Sequence, residues 1–586
     1  MRKPVFILRQ SESTLSAIII PTLDRPATSD RSRLQAWSQW FIQPAVLIRV
    51  VLYATTLIYL RTALFDYVYD DSLLITLHPW MESWKQFPQF LTHSFWGFME
   101  VPRTMDYYRP LVSLVLAMIR HLLGPAPAWF HLAAAGLHIL ATYLVYRLAF
   151  ETIGDKRVAA IAAGFFGLHP TRVETAAWIS GISDSLSAVL FLASMILYFK
   201  ARNDTTGRKL KYHAISTLLL LLALFSKEAA IFAPILIAIY EFSSANARFR
   251  DRCLASLRAA LPFLAVTALA ISARSLLVHN QLGQGMRQVP LKTTIFSAPT
   301  TIVWYLGKQL WPSELSVQYP IKLVFTLSLV KFVLPLILVL VSTVGVAWAV
   351  RRKPIGIFFA SWFVLMLAPV ILYVVVLQEH DRYIYLSSVA LCIGIAYLVD
   401  HLRILGAHTQ GAALLLLFAL MAGLTLKYES YWDNDMALST RAVQIAPANP
   451  KALEYHADTC VFLGQYAKAE AFARSVIGPN QDPEGWYILG NVLSSEQKYT
   501  EAREAYQTAS KLWGGHNLMA TLGLAGVDLN VGKGDEAVEI YREQLRRTPN
   551  RAFLHGRLAS ALKAVGKSEE AEKELAIQKS LQKTPS

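Results

Sequence analysis

The sequence predicts an all-α protein in two parts, a polytopic membrane bundle of about eleven spans and a C-terminal solenoid of paired helices. The first observation is compositional. Of 586 residues 54% are hydrophobic and only 17% charged, and the apolar residues gather in recurrent runs of membrane-spanning length. Second, those runs stop near residue 427, after which a short motif returns every 33 to 35 residues. Third, the net charge of +15 collects in short loops between the apolar runs, which accounts for it without nucleic acid. The three cysteines fall in a basic loop (Cys253), an apolar run (Cys392) and the tail (Cys460), so no disulfide framework is expected.

The first segment, residues 1–41, is polar. Arg2, Lys3, Arg9, Arg25, Arg31 and Arg33 outnumber Glu12, Asp24 and Asp30, which puts it in the cytoplasm. No small-residue cleavage site precedes the first apolar run, so residues 45–64 are expected to be a retained span. That span delivers the stretch Phe65-Asp66-Tyr67-Val68-Tyr69-Asp70-Asp71 to the outside. An outer loop, 65–109, then carries Glu82, Glu100 and Asp106 with Trp80, Trp84 and Trp96, the composition of a segment lying along the interface. Residues 111–123 are apolar but short and suggest a re-entrant or interfacial helix.

Ten further spans are expected at about 129–148, 158–169, 180–199, 212–226, 229–243, 259–278, 327–350, 355–377, 383–401 and 410–427. Lys156-Arg157, Lys200 through Lys211, Arg248-Arg250-Arg252, Arg351-Arg352-Lys353 and Arg403 then all fall on the cytoplasmic side, provided 294–311 dips into the outer leaflet without crossing. In this topology the domain 42–427 is followed by an extracytoplasmic tail, 428–586, on the same side as Asp70 and Asp71.

The tail repeats Gly464-Gln465-Tyr466 with Ala469, Lys498-Tyr499 with Ala502, Gly532-Lys533-Gly534 with Ala537, and Gly566-Lys567-Ser568 with Ala571. A helix-breaking turn followed by a small residue is the pattern of two helices folded tightly together, the tetratricopeptide repeat. Residues 433–446 lead into the array as an unpaired helix. The concave face of such arrays commonly takes extended peptide, and a purely structural appendage is the competing reading.

Several ionisable clusters reach the outer edge of the apolar layer in this topology. They are His169-Pro170 through Glu174, Asp184 one turn into the fourth span, Lys227-Glu228, and Glu379 through Tyr383. Each alone is explained by a turn or a helix stop. Ionisable groups at membrane depth are costly and usually functional, and here they share a face with Asp70 and Asp71.

Tyr107-Tyr108-Arg109-Pro110-Leu111, His131 and His138, the segment LHPTRVETAAWISGISDSLSAVLF from Leu168, Ser226-Lys227-Glu228, and Asp381-Arg382-Tyr383-Ile384-Tyr385-Leu386 together resemble one family. It comprises the membrane proteins with transmembrane and tetratricopeptide repeats, relatives of protein O-mannosyltransferases, and the likeness runs from about residue 42 to the C-terminus. The resemblance implies a GT-C-type glycosyltransferase that takes a sugar, mannose by family expectation, from a polyprenyl- or dolichyl-phosphate carrier. The acceptor would be a Ser or Thr hydroxyl of a protein on the extracytoplasmic side. Two departures bear on the sugar: Ile182 stands where the family often has Arg, and Asp381 and Ser387 stand where it tends to have Glu and Pro.

Such a transfer passes through an oxocarbenium-like state, which needs a base for the acceptor hydroxyl and cations for the departing phosphate. Asp70 or Asp71 is the expected base, with the second carboxylate orienting the acceptor or a divalent cation. Arg109 and Arg382 are the expected phosphate ligands, since a guanidinium holds two oxygens at once; Lys227 adds a charge and His169 a hydrogen bond. Glu174, Asp184, Tyr383 and Glu228 are assigned to sugar or acceptor hydroxyls. No His/Cys spacing suggests zinc.

Three alternatives predict different things. A glycan or lipid acceptor leaves the donor site unchanged, and only the repeats argue for polypeptide. A transporter places its charges at midplane on broken helices related by an internal repeat, which 42–427 lacks. A scaffold recruiting partners through its repeats leaves Asp70 and Asp71 dispensable. The single short chain without a retention signal favours a bacterial plasma membrane.

Overall fold

The computed structural model describes residues 43–99, 107–277, 290–320, 323–377, 379–402, 407–514 and 517–583. The expectations for the segment 1–41 and for Glu100, Asp106 and Arg403 lie outside the described residues. Helices make up the first part: α1 (Pro44–Leu60), α2 (Pro110–Leu123), α3 (Pro127–Ile153), α4 (Lys156–Gly167), α5 (Ile182–Arg202), α6 (Lys209–Ser226), α7 (Ala233–Ser244), α8 (Phe249–Leu277), α9 (Leu291–Leu310), α10 (Leu334–Val350), α11 (Pro354–Leu377), α12 (Ser388–Leu402) and α13 (Ala407–Glu429). No strand occurs among the described residues.

Local sequence explains where these helices start and stop. Pro44, Pro110 and Pro127 each open one, where a missing N–H costs nothing. Gly154, at φ 81°, ends α3. Asp155 then caps α4 by accepting from Arg157 N–H at 2.7 Å and Val158 N–H at 3.2 Å.

Among the described residues seven helical segments are long and apolar enough to cross a membrane: Pro44–Leu64, Pro127–Ile153, Ile179–Arg202, Lys209–Ser226, Phe249–Leu277, Leu329–Val350 and Thr409–Trp432. The other four expected spans fall on α4, α7, α11 and α12. Of these, α4 and α7 have only 12 residues each. In α4 the residues from Val158 to Gly167 are all buried, among α1, α3 and α12. Its alanines and glycines permit this: a Cβ on Gly164 would stand 2.4 Å from the Phe418 ring, so α13 could not lie where it does. The helix α2 has 14 residues, and the apolar stretch 294–311 falls on α9, which is not among the seven.

The helix ends sort into two poles. At one pole the basic loops meet: Arg157 pairs with Asp400 at 3.0 Å, Arg202 with Glu241 at 2.9 Å, and the Arg252 guanidinium lies 4.0 Å over the Phe242 ring. At the other pole lie the turns after α1, α4, α6, α9 and α11. The tail docks at this second pole, where Asp66 N–H donates to the Asp433 carbonyl at 3.0 Å. Asp70, Asp71 and the tail therefore share a side.

After α14 (Asp435–Ile445) the tail forms four helix pairs: α15 (Pro450–Phe462) with α16 (Tyr466–Ile477), α17 (Pro483–Ser495) with α18 (Tyr499–Leu512), α19 (Leu518–Asn530) with α20 (Gly534–Arg547), and α21 (Ala552–Ala564) with α22 (Ser568–Lys583). Each pair turns on a residue at positive φ: Gly464 (69°), Gln497 (64°), Gly532 (78°) and Gly566 (79°). Only the second uses a non-glycine, which is why its motif is the least glycine-like in sequence. Ala469, Ala502, Ala537 and Ala571 are all buried where the paired helices approach.

Candidate functional site

The stretch leading to the two aspartates leaves α1 as an extended segment and closes on a one-turn helix, Asp71–Ile75. The two carboxylates part company there. Asp71 is fully buried: its Oδ1 accepts from the Ser180 N–H at 3.0 Å and the Ser180 hydroxyl at 2.8 Å, and its Oδ2 from the Val68 N–H at 3.3 Å. Burial, and then the neighbouring Asp70, push its carboxyl well above the usual range, with the Ser180 bonds opposing. Asp70 is only half-buried and precedes the turn. Ser180 is a residue that sequence reasoning missed; it lies 109 positions away, and no local signal marks it.

Beside this turn the structure gathers three ion pairs. Arg109 Nη2 lies 2.9 Å from Glu228 Oε1, and Lys227 Nζ 2.6 Å from Asp184 Oδ1. Arg382 pairs through Nη1 with Glu174 Oε1, while its backbone N–H donates to Glu174 Oε2 at 3.1 Å. Tyr383 bridges two of them, since Lys227 Nζ sits 5.7 Å and the Arg382 guanidinium 4.9 Å from its ring centre. Trp178 ties the pairs to the carboxylate turn: Arg382 stacks 4.9 Å from its ring, and Tyr69 meets the ring edge-on at 6.1 Å. Eight of the ten site residues named from sequence thus form two adjoining layers around these aromatic rings, with Asp70 and Asp71 in one and the ion pairs in the other.

Three assignments are corrected: Glu228, assigned to a hydroxyl, accepts on both oxygens from Arg109, from Nε at 3.4 Å and Nη2 at 2.9 Å, and the other two are His169 and Glu174. His169 does not face a ligand: Nε2 lies 2.9 Å from the Gln309 carbonyl, and Nδ1 lies 2.9 Å from the Thr171 hydroxyl and accepts from the Thr171 N–H at 3.3 Å. Burial, then Arg172, lower its pKa to about 3, so the ring is neutral with both nitrogens engaged. It brackets the turn after α4. Glu174, at 2% exposure, is likewise committed, to Arg382 and to His380 Nδ1 at 3.4 Å, and holds a cation rather than a hydroxyl. Burial opposes its ionisation, but the Arg382 charge and the His380 contact prevail and hold its carboxyl below the ordinary range. By contrast Asp184 keeps one oxygen, Oδ2, buried without a hydrogen-bond partner among the described residues.

Sequence reasoning gave no role to Asp381 and Arg172, although both lie within the motifs. Asp381 is buried, with the Tyr319 hydroxyl 2.8 Å from both its oxygens; burial, then Glu174, raise its pKa. It stood in plain view beside Arg382. Arg172 is fully buried, donates to Thr171 Oγ1 at 3.1 Å and Gln309 Oε1 at 2.9 Å, and pairs with no carboxylate among the described residues. It adds positive potential beneath the site. Nearby, His138 and Tyr385, both within the motifs, are joined at 2.8 Å.

A divalent cation finds few ligands here. Both Asp71 oxygens already accept protein hydrogen bonds, and the described residues contain no group of three His, Cys, Asp or Glu placed to hold a metal.

A tetratricopeptide-repeat family model matches residues 483–512, the α17–α18 pair. The chain is 30% identical to the protein O-mannosyl-transferase Tmtc1 of Drosophila melanogaster over 189 residues, 32% of this chain and 22% of that protein. It is 22% identical to the protein O-mannosyl-transferase F38B6.6 of Caenorhabditis elegans over 399 residues, 66% of this chain and 56% of that one. The chain thus spans from about a fifth to about half the length of these curated relatives. Among solved structures, ArnT from Cupriavidus metallidurans bound to undecaprenyl phosphate aligns over 86% of this chain and 80% of its own, at 13% identity and a TM-score of 0.39. By sequence the chain is similar to the protein O-mannosyl-transferases with transmembrane and tetratricopeptide repeats, the family to which its motifs point.

Proposed function

We propose that the protein is a membrane glycosyltransferase that moves a hexose from a polyprenyl-phosphate carrier to protein hydroxyls at the pole where its repeats dock. One observation carries this reading: three ion pairs, of which Lys227–Asp184 is buried at both ends and the other two are partly buried, lie beside a carboxylate turn, and Trp178 touches the Arg382 pair and the turn. Asp70, the less enclosed carboxylate, is the base that takes the acceptor proton. Asp71, pinned by Ser180 and Val68, fixes the turn and keeps a second negative charge from reaching the acceptor.

Arg109 and Arg382 face the donor phosphate with the guanidinium N–H groups their carboxylates leave free. Because Glu228 and Glu174 fix the orientation of those guanidinium groups, little reorganisation accompanies the growth of charge on the leaving phosphate. Lys227 adds its charge, and Asp184 Oδ2 accepts from a sugar hydroxyl. The departing group is the polyprenyl phosphate; the acceptor oxygen bonds to the anomeric carbon and its proton passes to Asp70. The relatives support mannose as the sugar, and the repeats support a polypeptide acceptor. The positive-inside pattern supports a site on the extracytoplasmic side of the membrane.

The test is transfer of radiolabelled hexose from polyprenyl-phosphate mannose, and from the glucose and arabinose analogues, in membranes holding wild type or Asp70→Asn. Label entering protein from one donor, with wild type only, is the expected result and identifies the sugar. Equal labelling by both proteins removes Asp70 from the chemistry, and label entering lipid or glycan alone moves the acceptor away from protein.

A further inference from the structure

The turn that carries Asp70 is held from outside the membrane domain. Tyr69, the residue before it, has φ 61°, a left-handed conformation that a bulky L-residue keeps only when its surroundings impose it. What imposes it is the start of the solenoid. Asp435, in the first turn of α14, accepts the Tyr69 N–H at 2.8 Å and the Tyr455 hydroxyl of α15 on the same oxygen, Oδ1. The Tyr69 ring packs edge-on against Tyr455 at 5.1 Å on one side and Trp178 on the other, and Gln318 Nε2 donates to its hydroxyl at 3.2 Å. Three residues earlier Asp66 bonds the Asp433 carbonyl, so both ends of the 66–69 segment are tied to the lead-in of the repeats.

The same clasp reaches the ion-pair layer. Asn449 Nδ2, at the start of α15, donates to the Tyr319 carbonyl at 2.8 Å, and Arg441 Nε, on α14, to the Leu315 carbonyl at 3.1 Å. Tyr319 in turn holds Asp381, the neighbour of Arg382. Segment 315–319 is thus a strut between solenoid and site.

We propose that Asp435 is a positioning residue for the transfer reaction, and that the solenoid is a structural part of the site because its lead-in helix α14 and its first repeat helix α15 set the geometry of the Asp70 turn. This rests on the transferase reading above. Asp435 touches no reacting atom; it acts through the Tyr69 backbone. A turn released by about 1 Å is expected to lower the chemical step by about 100-fold, with donor affinity intact because the cations are elsewhere.

The experiment uses the full chain in membranes or detergent, as wild type, Asp435→Ala and Asp435→Asn. Asn keeps an acceptor oxygen for Tyr69 and Tyr455 but not the charge. Two readouts are taken: hydrogen exchange of the peptide covering Tyr69 to Asp71, and hexose transfer separated into kcat and KM for the lipid donor. The expected result is exchange about tenfold faster in the Ala variant, with kcat reduced and KM unchanged, and both values restored to near wild type by Asn. Unchanged exchange in Asp435→Ala overturns the clasp. Faster exchange with unchanged kcat overturns the positioning role, and loss of kcat in the Asn variant as deep as in Ala assigns the effect to charge and overturns it equally. If wild type transfers no hexose from any donor, the transferase reading falls and the catalytic half of this proposal with it, while the exchange result still decides the clasp.

Discussion

Lys227–Asp184 at the site and Lys573–Glu569 on the last helix of the solenoid are the same chemical contact, at 2.6 and 2.9 Å. They differ in surroundings. The first pair has side chains 10% and 7% exposed, the second 68% and 86%. Charges on the solenoid surface keep their hydration, and their pairing contributes little. Charges at the membrane-domain pole have lost theirs, and their attraction alone does not recover the cost. One such pair, with two partly buried ones beside it, is poorly explained by stability, which favours apolar residues at the same positions. They are well explained by a ligand whose own charge the cations must meet, and breaking each kind of pair separates the two accounts.

The largest effect belongs to Arg382→Ala. It leaves Glu174 buried without its cation, and a loss of about 3–5 kcal/mol in unfolding stability is expected together with loss of transfer. Thermal unfolding in detergent, read beside activity, checks both. A sharper comparison replaces both members of the second pair, as Lys227→Met with Asp184→Leu. With no charge left uncompensated, stability is expected within about 1 kcal/mol of wild type, while hexose transfer falls by about 100-fold or more. A double variant that keeps full activity reduces this pair to scaffolding.

Glu228 gives a smaller, pH-dependent effect. Burial raises its pKa, but the charges of Arg109 and then Lys227 outweigh that and lower it from 4.5 to about 2. A carboxyl depressed on folding stabilises in full above the unfolded value and loses that contribution as the folded form protonates. The Arg109–Glu228 contribution is therefore present above about pH 4.5 and declines from there toward pH 2, and Glu228→Gln is expected to flatten stability over that window. The smallest effect is that of Lys573→Ala, expected to change stability by less than about 0.5 kcal/mol and transfer not at all.

The architecture was largely legible in the sequence because both of its signals are periodic. Apolar runs of fixed length mark the bundle, and the recurring turn followed by alanine marks the solenoid; the second repeat obeyed the rule even with Gln497 in place of glycine. The span lengths were less legible. Hydropathy gave α4 the character of a crossing helix, whereas its small residues reflect burial among other helices. The site was legible as a set of residues and not as a set of roles. Clustering on one face picked out Glu174, Asp184, Lys227, Glu228, Arg382 and Tyr383, and a motif picked out Arg109, but sequence carries no record of which carboxylate pairs with which cation. His169 was assigned a hydrogen bond to the donor phosphate; its bond to Gln309 spans 140 residues. The hold of Asp435 on Tyr69 spans 366 residues and crosses from one part of the chain to the other.

The central claim is that the Asp70 turn and the three ion pairs beside it form one transfer site. Single-turnover hexose transfer by purified protein loaded with lipid-linked donor tests it most directly, comparing wild type, Asp70→Asn and Lys573→Ala with donor binding measured alongside. The account predicts that Asp70→Asn binds donor as wild type does and transfers at least about 100-fold more slowly, while Lys573→Ala matches wild type in both. Transfer by Asp70→Asn at the wild-type rate contradicts it.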